Sequence, residues 1–532
     1  MSGEQRPGWS GIKSLLWLGL IIVLAAGLSL ISIHIPMGRD QGVAAYFGWQ
    51  TLLGKVVYRD LYHFNFPGIF WTYAAAFRIF GLRTEAINYF DTSFRLFTLA
   101  GVYMAGSRIF TRRTGVWAAG IYGLFSTVAY NDYWLNAQKE TFALGPLVFC
   151  LYFFARGLGE DRIRKPSIFF AGVFSFWAML YKPTVALAPG LAVLYMLFQK
   201  RYEPKDRMLG LFSFAPGFLI PASAVVIYFY SQAALLDMAR QVFIFGISYG
   251  SQYYKGGVKV WALLIWKVLF WAVGFGLVTS AALLAAVWSA RAKDKGIWLL
   301  FWFGLGLFLN IIVQLKFFVY HFMVLLLPLS ILAAQFFGEH LRGVLSGQGR
   351  AAKTAVWMFA GFLVAADLTA DLSRYGRELL YDFGRISRED FLERYGRWGF
   401  GDISAVASYK VARYLREQTE PSDKVLVFGI EPGLNFLSKR ESATRFCYDL
   451  PLTYQYGGKG FERHQAGLRK EFVDELRESR PVYIVVIEND TNTVEPKDSF
   501  GQMLEFVEFR SFLDQNYYLE TKIEHYYLYR RK

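Results

Sequence analysis

The stretch at residues 35–67, IPMGRDQGVAAYFGWQTLLGKVVYRDLYHFNFP, decides the architecture of this chain because it is polar and lies between long apolar runs. Its side chains that can carry charge are Arg39, Asp40, Lys55, Arg59, Asp60 and His63. A charged group beside a membrane-spanning segment costs free energy unless it is solvated, paired or used in function. The stretch therefore predicts a membrane protein with a functional loop at residues 35–87.

The composition of the 532-residue chain indicates a membrane part joined to a water-soluble part. Hydrophobic residues make up 54% of the chain and charged residues 19%, against about 25% charged residues in soluble domains. Mean hydropathy is only +0.27 because the apolar runs are concentrated in residues 13–371. We expect a transmembrane domain at residues 1–371 and a soluble domain at residues 372–532.

The apolar runs predict a polytopic α-helical membrane protein. A helix needs about 20 apolar residues to cross a bilayer, and by this rule the chain has about eleven spans. They are expected at residues 14–34, 88–108, 115–131, 141–157, 166–182, 184–199, 208–230, 260–290, 296–315, 318–337 and 354–371. The first run has no small-residue cleavage site after it, so it is predicted to be an uncleaved anchor.

The distribution of basic residues predicts the orientation. Lys and Arg form clusters between the apolar runs, at residues 108–113, 156–165, 200–207, 291–295 and 342–353. All of these clusters fall on one side if the N-terminus is inside and the spans alternate. Because cytoplasmic loops are enriched in Lys and Arg, we expect the 35–87 loop and the C-terminal domain to lie outside. The net charge of +15 then reflects orientation, and nucleic acid is not an expected partner.

Short elements are predicted outside the spans. In the loop, two interfacial helices are expected at residues 42–54 and 70–80. The soluble domain alternates helical patterns with apolar strands, at residues 405–418, 425–429, 466–478, 482–487 and 526–530, which predicts a small α/β domain. Gly429 and Gly433 follow the first strand, but this spacing alone is too weak to indicate a nucleotide site.

Asp40 is the first candidate for chemistry, because it lies a few residues beyond the outer end of the first span, in GRDQG. A carboxylate at this place could act as a general base toward an acceptor hydroxyl. It could equally cap the helix expected from residue 42, since Asp is a favoured N-cap residue. Spacing alone does not separate the two interpretations.

Arg59, Asp60 and His63 form the second cluster. Arg59 could neutralise a phosphate group and His63 could hydrogen-bond it. The alternative interpretation, favoured for Asp60, is an ion pair between Arg59 and Asp60 that staples the loop.

The next external loop contributes Asp132, Lys139 and Glu140. Glu140 stands at the start of a predicted helix, where the helix dipole favours an acid and disfavours the neighbouring lysine. It is either such a first-turn acid or a second carboxylate that acts with Asp40.

Lys182, Lys316 and His321 are basic groups at the outer ends of apolar spans, against the positive-inside trend. Cations at a membrane boundary usually mark a ligand or a pathway, and lysine suits a phosphate. The alternative is a pair of lysines that snorkel to the surface. No set of His, Cys and Asp residues has metal-ligand spacing.

Together these features resemble the GT-C superfamily of multispanning glycosyltransferases, which use polyprenyl-phosphate-linked sugars. Within it, the chain is most similar to the protein O-mannosyltransferase and aminoarabinose-transferase types. The similarity is carried by Asp40 after the first span, GKVVYRD at residues 54–60, Pro67-Gly68, KPT at residues 182–184 and KFFVYHFMVLLLP at residues 316–328.

The resemblance implies an inverting transferase without a cofactor, in the plasma (inner) membrane, among whose lipids it works. It would move a sugar from a polyprenyl-phosphate donor to a lipid, glycan or protein acceptor on the outer face. Asp40 takes the place of the catalytic carboxylate and Glu140 the second acidic place. Many members have an acidic pair where this chain has Arg39-Asp40-Gln41, so metal independence is predicted. The predicted substrate-binding residues are Arg39, Arg59, Asp60, His63, Asp132, Lys139, Lys182, Lys316 and His321.

Two other classes of protein would use similar basic residues, namely a transporter or flippase of lipid-linked sugars and a non-catalytic membrane subunit that binds glycans. Transporters often show related halves, and no internal repeat is found in this sequence.

Overall fold

The computed structural model describes residues 11–128, 135–246, 249, 258–291, 295–341, 349, 354, 358, 361, 375–396, 403–454, 458–491 and 497–532. Contacts divide the chain into two compact units. Unit 1 comprises Met1–Ile33, Asn88–Val225 and Gly257–Leu379. Unit 2 comprises His34–Ile87, Val226–Gly256 and Leu380–Lys532. The predicted separation into a membrane domain and a soluble domain at residue 371 stays a prediction.

The described chain up to residue 341 is helical. Its α-helices are α1 (Gly11–Ile31), α2 (Arg39–Leu52), α3 (Gly68–Phe80), α4 (Thr84–Ile109), α5 (Arg112–Val128), α6 (Lys139–Gly157), α7 (Lys165–Met179), α8 (Leu187–Leu197), α9 (Pro204–Ser231), α10 (Leu235–Ala239), α11 (Val258–Gly274), α12 (Gly276–Arg291), α13 (Lys295–Gln314) and α14 (Leu326–Gln335). Shorter 3-10 or π-helical turns lie at Pro183–Ala186, Arg240–Phe245, Val319–Leu325 and Phe336–His340.

The helical character of the predicted spans is confirmed wherever the structure describes them. Four helical segments in the described chain are long and apolar enough to cross a membrane, namely Gly11–Ile31, Pro204–Ser231, Gly296–Gln314 and Val319–Gly338. The number of crossings and their direction stay predictions, and the expected span at 354–371 lies almost wholly outside the described residues.

Two predicted spans differ in detail from the helices that form. The span expected at 260–290 is two helices, α11 and α12, separated at Phe275. The region after residue 179 is broken as Lys182-Pro183 predicts, because proline cannot donate a backbone hydrogen bond within a helix. There the chain makes the 3-10 turn Pro183–Ala186 before α8 begins.

The loop helices of unit 2 are buried, which corrects the expectation that they lie at a lipid interface. In α2, residues 39–50 are buried with the exception of Asp40. This helix packs on α3, and Gly48 of α2 lies so close to Tyr73 that an added Cβ would meet the Tyr73 Cβ at 2.7 Å. An interfacial helix would instead leave one complete face exposed to lipid or water.

The C-terminal part of unit 2 contains a four-stranded sheet in the order β1-β2-β4-β3. The strands are β1 (Val425–Phe428), β2 (Tyr483–Ile487), β3 (Tyr517–Ile523) and β4 (Tyr526–Arg531). β1 and β2 are parallel, whereas β4 is antiparallel to both β2 and β3. The three predicted strands are confirmed. β3 was missed because its sequence, YYLETKI, shows no alternation of apolar and polar residues, and only its first residue is buried.

Helices cover both faces of this sheet, as the α/β prediction requires. They are α15 (Arg388–Leu392), α16 (Ala405–Gln418), α17 (Gly433–Ser438), α18 (Leu450–Thr453), α19 (Gly458–Ser479), α20 (Ser499–Glu505) and α21 (Val507–Asn516). One apolar core joins α16 to alternate residues of the strands. A second core, on the opposite face, contains Phe428 and Val486 together with residues of α19 and α21.

The second core predicts a large loss of stability for Phe472→Ala. Phe472 is 1% exposed, and its ring contacts the rings of Phe428, Phe506 and Phe509. We expect this substitution to lower the free energy of unfolding of this unit by about 3–5 kcal/mol, because it leaves a cavity. Urea unfolding of the detergent-solubilised protein, read by proteolysis, measures it.

Tyr518→Ala is the matched control, because Tyr518 is an aromatic residue of the same unit that is 46% exposed. It should change the free energy of unfolding by about 0.5 kcal/mol or less. Equal losses for the two variants would contradict the assignment of this core.

Candidate active site

The predicted site residues fall in both units. Unit 2 contains Asp40 together with Arg39, Arg59, Asp60 and His63. Unit 1 contains Glu140 together with Lys139, Lys182, Lys316 and His321. Asp132 lies outside the described residues.

Asp40 is in the first turn of α2 and is not its N-cap. The helix begins at Arg39, and its N-cap is Gly38, which has extended backbone angles and provides no side-chain cap. The interpretation of Asp40 as a cap is therefore wrong. A carboxylate in the first turn is still favoured by the helix dipole, so the local structure tolerates Asp40 without depending on its hydrogen bonding.

The Asp40 side chain is exposed between buried neighbours. Arg39 and Gln41 on either side of it are both buried. Within the described part of the chain, the Asp40 carboxylate has no hydrogen-bond or ion-pair partner. An unpaired, accessible carboxylate on a rigid helix is a group that can accept a proton from a bound hydroxyl.

Arg39 points away from solvent and is only 7% exposed. Its Nη2 donates a hydrogen bond of 3.1 Å to the backbone carbonyl of Asp490. The predicted substrate-binding role of Arg39 stays a prediction, while the contact that the structure gives it is with the α/β sheet.

Glu431, which follows β1, is a buried acid near Arg39. Its Oε2 accepts a hydrogen bond of 2.6 Å from the Tyr526 hydroxyl, and its Oε1 accepts another from the Ser408 hydroxyl. Burial raises the pKa of Glu431 to about 8, against the opposing influence of these hydrogen bonds and of the Arg39 charge. The sequence signal for this residue was its place between Gly429 and Gly433 directly after a strand.

Arg59 and Asp60 form the ion pair that was the alternative interpretation. Arg59 Nε lies 2.7 Å from Asp60 Oδ1 and Nη2 lies 2.8 Å from Oδ2. The Arg59 hydrogen bond, with a further one from the Val56 amide, holds the pKa of Asp60 below its usual range. Arg59 also donates to the Gln232 carbonyl at 3.0 Å. These contacts staple the loop, and a role in substrate binding stays a prediction.

His63 is a buried histidine in an aromatic environment. It is 4% exposed, and its ring contacts those of Phe47, Phe64 and Phe70. The Asn65 amide donates to Nδ1 at 2.9 Å, so the neutral ring carries its proton on Nε2. Its predicted contact with phosphate stays a prediction.

In unit 1, the structure brings together Glu140, Lys182 and His321. Glu140 is in the first turn of α6 and is 0% exposed. Its Oε1 forms a short ion pair with Lys182 Nζ and lies 3.8 Å from His321 Nε2. Its Oε2 is buried without a hydrogen-bond partner among the described residues. A buried polar atom of this kind is uncommon and calls for an explanation.

Lys139 and Lys316 lie within electrostatic reach of the same cluster, since both of their charges act on His321. Both are partly exposed, whereas His321 is 3% exposed. Unit 1 therefore gathers four predicted basic residues, Lys139, Lys182, Lys316 and His321, near the carboxylate of Glu140. Excess positive charge around a single acid suits an anionic ligand.

A second polar network of unit 1 escaped the sequence analysis. Asp91 and Arg95, one turn apart in α4, form an ion pair of 2.7 Å and are 1% and 4% exposed. Arg95 Nη2 donates to Asn136 Oδ1 at 2.9 Å, three residues before α6. The network therefore fixes the turn that leads to Glu140. Opposite charges four residues apart in a predicted span were the available signal.

Among the residues that the structure describes, no group of three His, Cys, Asp or Glu side chains could hold a metal ion. The predicted metal independence is a statement about the reaction and stays a prediction.

Comparison with known proteins adds a family model and a fold. Residues 65–228 match the family model of dolichyl-phosphate-mannose-protein mannosyltransferase. A search of curated proteins found no match.

The fold is similar to that of ArnT from Cupriavidus metallidurans bound to undecaprenyl phosphate. The TM-score is 0.56 at 14% identity, and the match covers 96% of this chain and 97% of ArnT. Arabinofuranosyltransferase AftD from Mycobacteria gives a TM-score of 0.50 at 14% identity, over 98% of this chain and 40% of AftD. The family model and these structural matches confirm the resemblance to the GT-C superfamily, and the fold is similar to that of ArnT.

The ion pair of Glu140 and Lys182 predicts strong coupling between two substitutions. Glu140→Gln or Lys182→Met alone leaves a buried charge without its partner, which should cost about 3–5 kcal/mol of stability. The double variant should lose clearly less than the sum, because neither charge remains. Unfolding of the purified protein in detergent measures all three.

Asp474→Asn combined with Arg477→Met is the control for this coupling, because that pair is 51% and 64% exposed. Its coupling energy should be about 0.5 kcal/mol or less. Additive losses at Glu140 and Lys182 would contradict a direct ion pair.

The buried Glu431 predicts a pH dependence of stability. Its pKa is about 8 in the folded protein and 4.5 in the unfolded chain. The contribution of Glu431 is therefore present below pH ~4.5 and is lost as the pH rises to about 8, by at most about 1.4 kcal/mol per pH unit.

Glu431→Gln should remove this contribution, because the amide does not titrate. The amide still has a carbonyl oxygen that accepts hydrogen bonds and an NH2 group that donates them. Thermal unfolding of the wild type and of the variant is measured across this pH range. The stability of the wild type relative to the variant should be lowest at high pH. Arg39 and Asp490 are present in both proteins, so their effects are common to both. A difference that does not vary with pH would contradict the prediction.

Proposed function

We propose that this protein is a membrane glycosyltransferase that moves a sugar from a polyprenyl-phosphate donor to a lipid, glycan or protein acceptor. The observation that carries the proposal is the exposed, unpartnered carboxylate of Asp40 at the start of the helix that follows the first apolar helix. The family model over residues 65–228 and the fold shared with ArnT support the same reaction class. Fold by itself does not define function, so the proposal depends on the roles of individual residues.

Asp40 is the general base of the proposed reaction. The acceptor hydroxyl attacks the anomeric carbon of the sugar, and its proton passes to the Asp40 carboxylate. The bond between the anomeric carbon and the phosphate oxygen breaks, and its electron pair leaves with the polyprenyl phosphate. Attack from the side opposite the leaving group inverts the configuration at the anomeric carbon. One proton is transferred and one negative charge develops on the phosphate, so the step is balanced.

The cluster around Glu140 binds the charge of the donor. Four basic side chains lie near the Glu140 carboxylate and could donate hydrogen bonds, namely Lys182, His321, Lys139 and Lys316. A donor phosphate that gains negative charge during the reaction would be stabilised by the positive charges of the three lysines and by a hydrogen bond from His321. The buried Glu140 then holds Lys182 in place.

The proposed lipid-linked donor also implies that the protein lies in a membrane. A polyprenyl donor stays in the bilayer because of its apolar chain, so the transferase must be embedded beside it. The clusters of Lys and Arg between the apolar runs support an orientation with the N-terminus inside and residues 35–87 outside. The reaction would then take place on the outer face of the plasma (inner) membrane, without a metal ion or a cofactor.

Asp40→Asn should abolish transfer while leaving the fold intact. The amide keeps the shape of the side chain but cannot take up the proton, and loss of a general base reduces the rate by about 10²–10⁴-fold. The assay uses the detergent-purified protein with undecaprenyl-phosphate-linked mannose and membrane extracts as acceptor. Release of undecaprenyl phosphate reports on turnover, and thermal unfolding reports on stability.

Glu508→Gln provides the matched control, because Glu508 is also an exposed acid in the first turn of a helix, α21. It should keep wild-type turnover. Full turnover by Asp40→Asn would overturn the role of Asp40. Movement of the labelled lipid across reconstituted vesicles without sugar transfer would instead indicate a transporter or flippase.

A further inference from the structure

The edge of the α/β sheet where ligands usually bind is identifiable in unit 2. In open α/β sheets, ligands bind outside the carboxyl ends of the parallel strands. β1 and β2 are the parallel pair, and Glu431 and Asp490 lie three residues beyond their ends. Both acids are buried, with exposures of 4% and 3%. This edge therefore carries two carboxyl groups that are withdrawn from water.

The two carboxyl groups are held in place by neutral donors. Tyr526 and Ser408 donate to Glu431. The Ser499 amide and hydroxyl donate to Asp490 at 2.8 Å and 2.6 Å. Carboxyl groups that are fixed in this way are preorganised to face a guanidinium group, since little freedom is lost when that group arrives.

The cation at this edge is Arg39, the residue next to Asp40. Its Nη2 donates to the Asp490 carbonyl at 3.1 Å, and its charge acts on both Glu431 and Asp490. Arg39 and Glu431 also line one small pocket together with Ser408 and Gly433. The place that would hold a ligand in other α/β sheets is thus filled by a side chain of the protein itself.

One face of α2 continues this contact along the helix. One turn after Arg39, Gly42 approaches Gly433, and a Cβ on Gly433 would lie 3.2 Å from the Gly42 Cα. At the next turn the Ser442 amide donates to the Tyr46 hydroxyl at 2.7 Å. Positions 39, 42 and 46 are spaced by three and four residues, so they lie on one side of the helix. Asp40 does not belong to this face and is exposed.

We propose that Arg39 is a positioning residue, which anchors the first turn of α2 at the carboxyl edge of the sheet and so fixes the direction of the Asp40 carboxylate. The inference rests on the proposed function for the role of Asp40. In this arrangement the α/β sheet holds the helix that bears the general base. Arg39 thereby acts through its hydrogen bond to the Asp490 carbonyl beside Glu431, and not through contact with the substrate.

Spin labelling tests this without depending on activity. A cysteine introduced by Asp40→Cys is accessible, whereas the two native cysteines, Cys150 and Cys447, are both buried. With a nitroxide on the introduced cysteine, Arg39→Met should increase the mobility of the label relative to the protein with Arg39. Arg39→Lys should restore part of the immobilisation, because it keeps the charge without the planar guanidinium.

Gly433→Ala is a second test that leaves Arg39 in place. Its Cβ would press on the Gly42 backbone, so the first turns of α2 must shift. We expect the label to change its mobility here as well. Gly467→Ala is the matched control, because a Cβ on Gly467 meets nothing within 4 Å, and its label spectrum should equal that of the parent.

Kinetics with Asp40 intact complete the test. With undecaprenyl-phosphate-linked mannose, Arg39→Met and Gly433→Ala should lower kcat by about 10- to 100-fold, because displacement of a catalytic group costs this much. The KM should change less than about twofold, since only the chemical step loses an interaction. An unchanged label spectrum in both variants would overturn the proposal. If Asp40→Asn alone keeps full turnover while the label is mobilised, the role of Asp40 fails and the anchoring by Arg39 stands.

Discussion

The close contact between α2 and the first connection of the sheet is the constraint on which the arrangement of unit 2 depends. Gly42 and Gly433 approach so closely that a methyl group on Gly433 would lie 3.2 Å from the Gly42 Cα. Such an approach brings the backbone of α2 to the sheet edge and allows Arg39 to reach Asp490. It also explains why glycine follows Glu431-Pro432. Gly429, on the other side of Glu431, is also closely packed, because an added Cβ would lie 2.5 Å from the Ile487 side chain.

Burial of charge is the theme that both units share. In unit 1, Glu140 is paired with Lys182, and Asp91 is paired with Arg95. In unit 2, Glu431 is held by hydroxyl groups and lies near Arg39. Because an isolated buried charge is very costly, Glu140 and Asp91 each have a cation as partner. Burial instead raises the pKa of Glu431 to about 8, so this group is largely protonated at neutral pH. Asp40 is the contrast, since it is exposed and has no partner within the described residues, as a proton acceptor for an incoming hydroxyl should be.

The sequence anticipated much of the fold, because the signals were strong and local. Apolar length identified helices in the first part of the chain, four of which are long and apolar enough to cross a membrane. Short apolar runs identified β1, β2 and β4. It located α16 at Ala405–Gln418, the helix that the structure contains. The interfacial placement of α2 was wrong, because its many small and aromatic residues pack against other parts of unit 2 rather than against lipid. β3 was missed because its sequence has no regular alternation of apolar and polar residues. Its pairing with β4 defines it as a strand.

For the candidate site, the sequence by itself determined which residue types stand where charge is expensive, and hence selected Asp40, Glu140, Lys182 and His321. Their charges beside apolar runs are visible without a structure. Only the tertiary structure decided that Glu140, Lys182 and His321 meet, and that Arg59 is engaged by Asp60. It alone showed that Arg39 turns inward while Asp40 turns outward. Adjacent helical residues point about 100° apart. Which of them faces the sheet depends on partners 396 and 451 residues away in the chain, a distance over which no local pattern carries information.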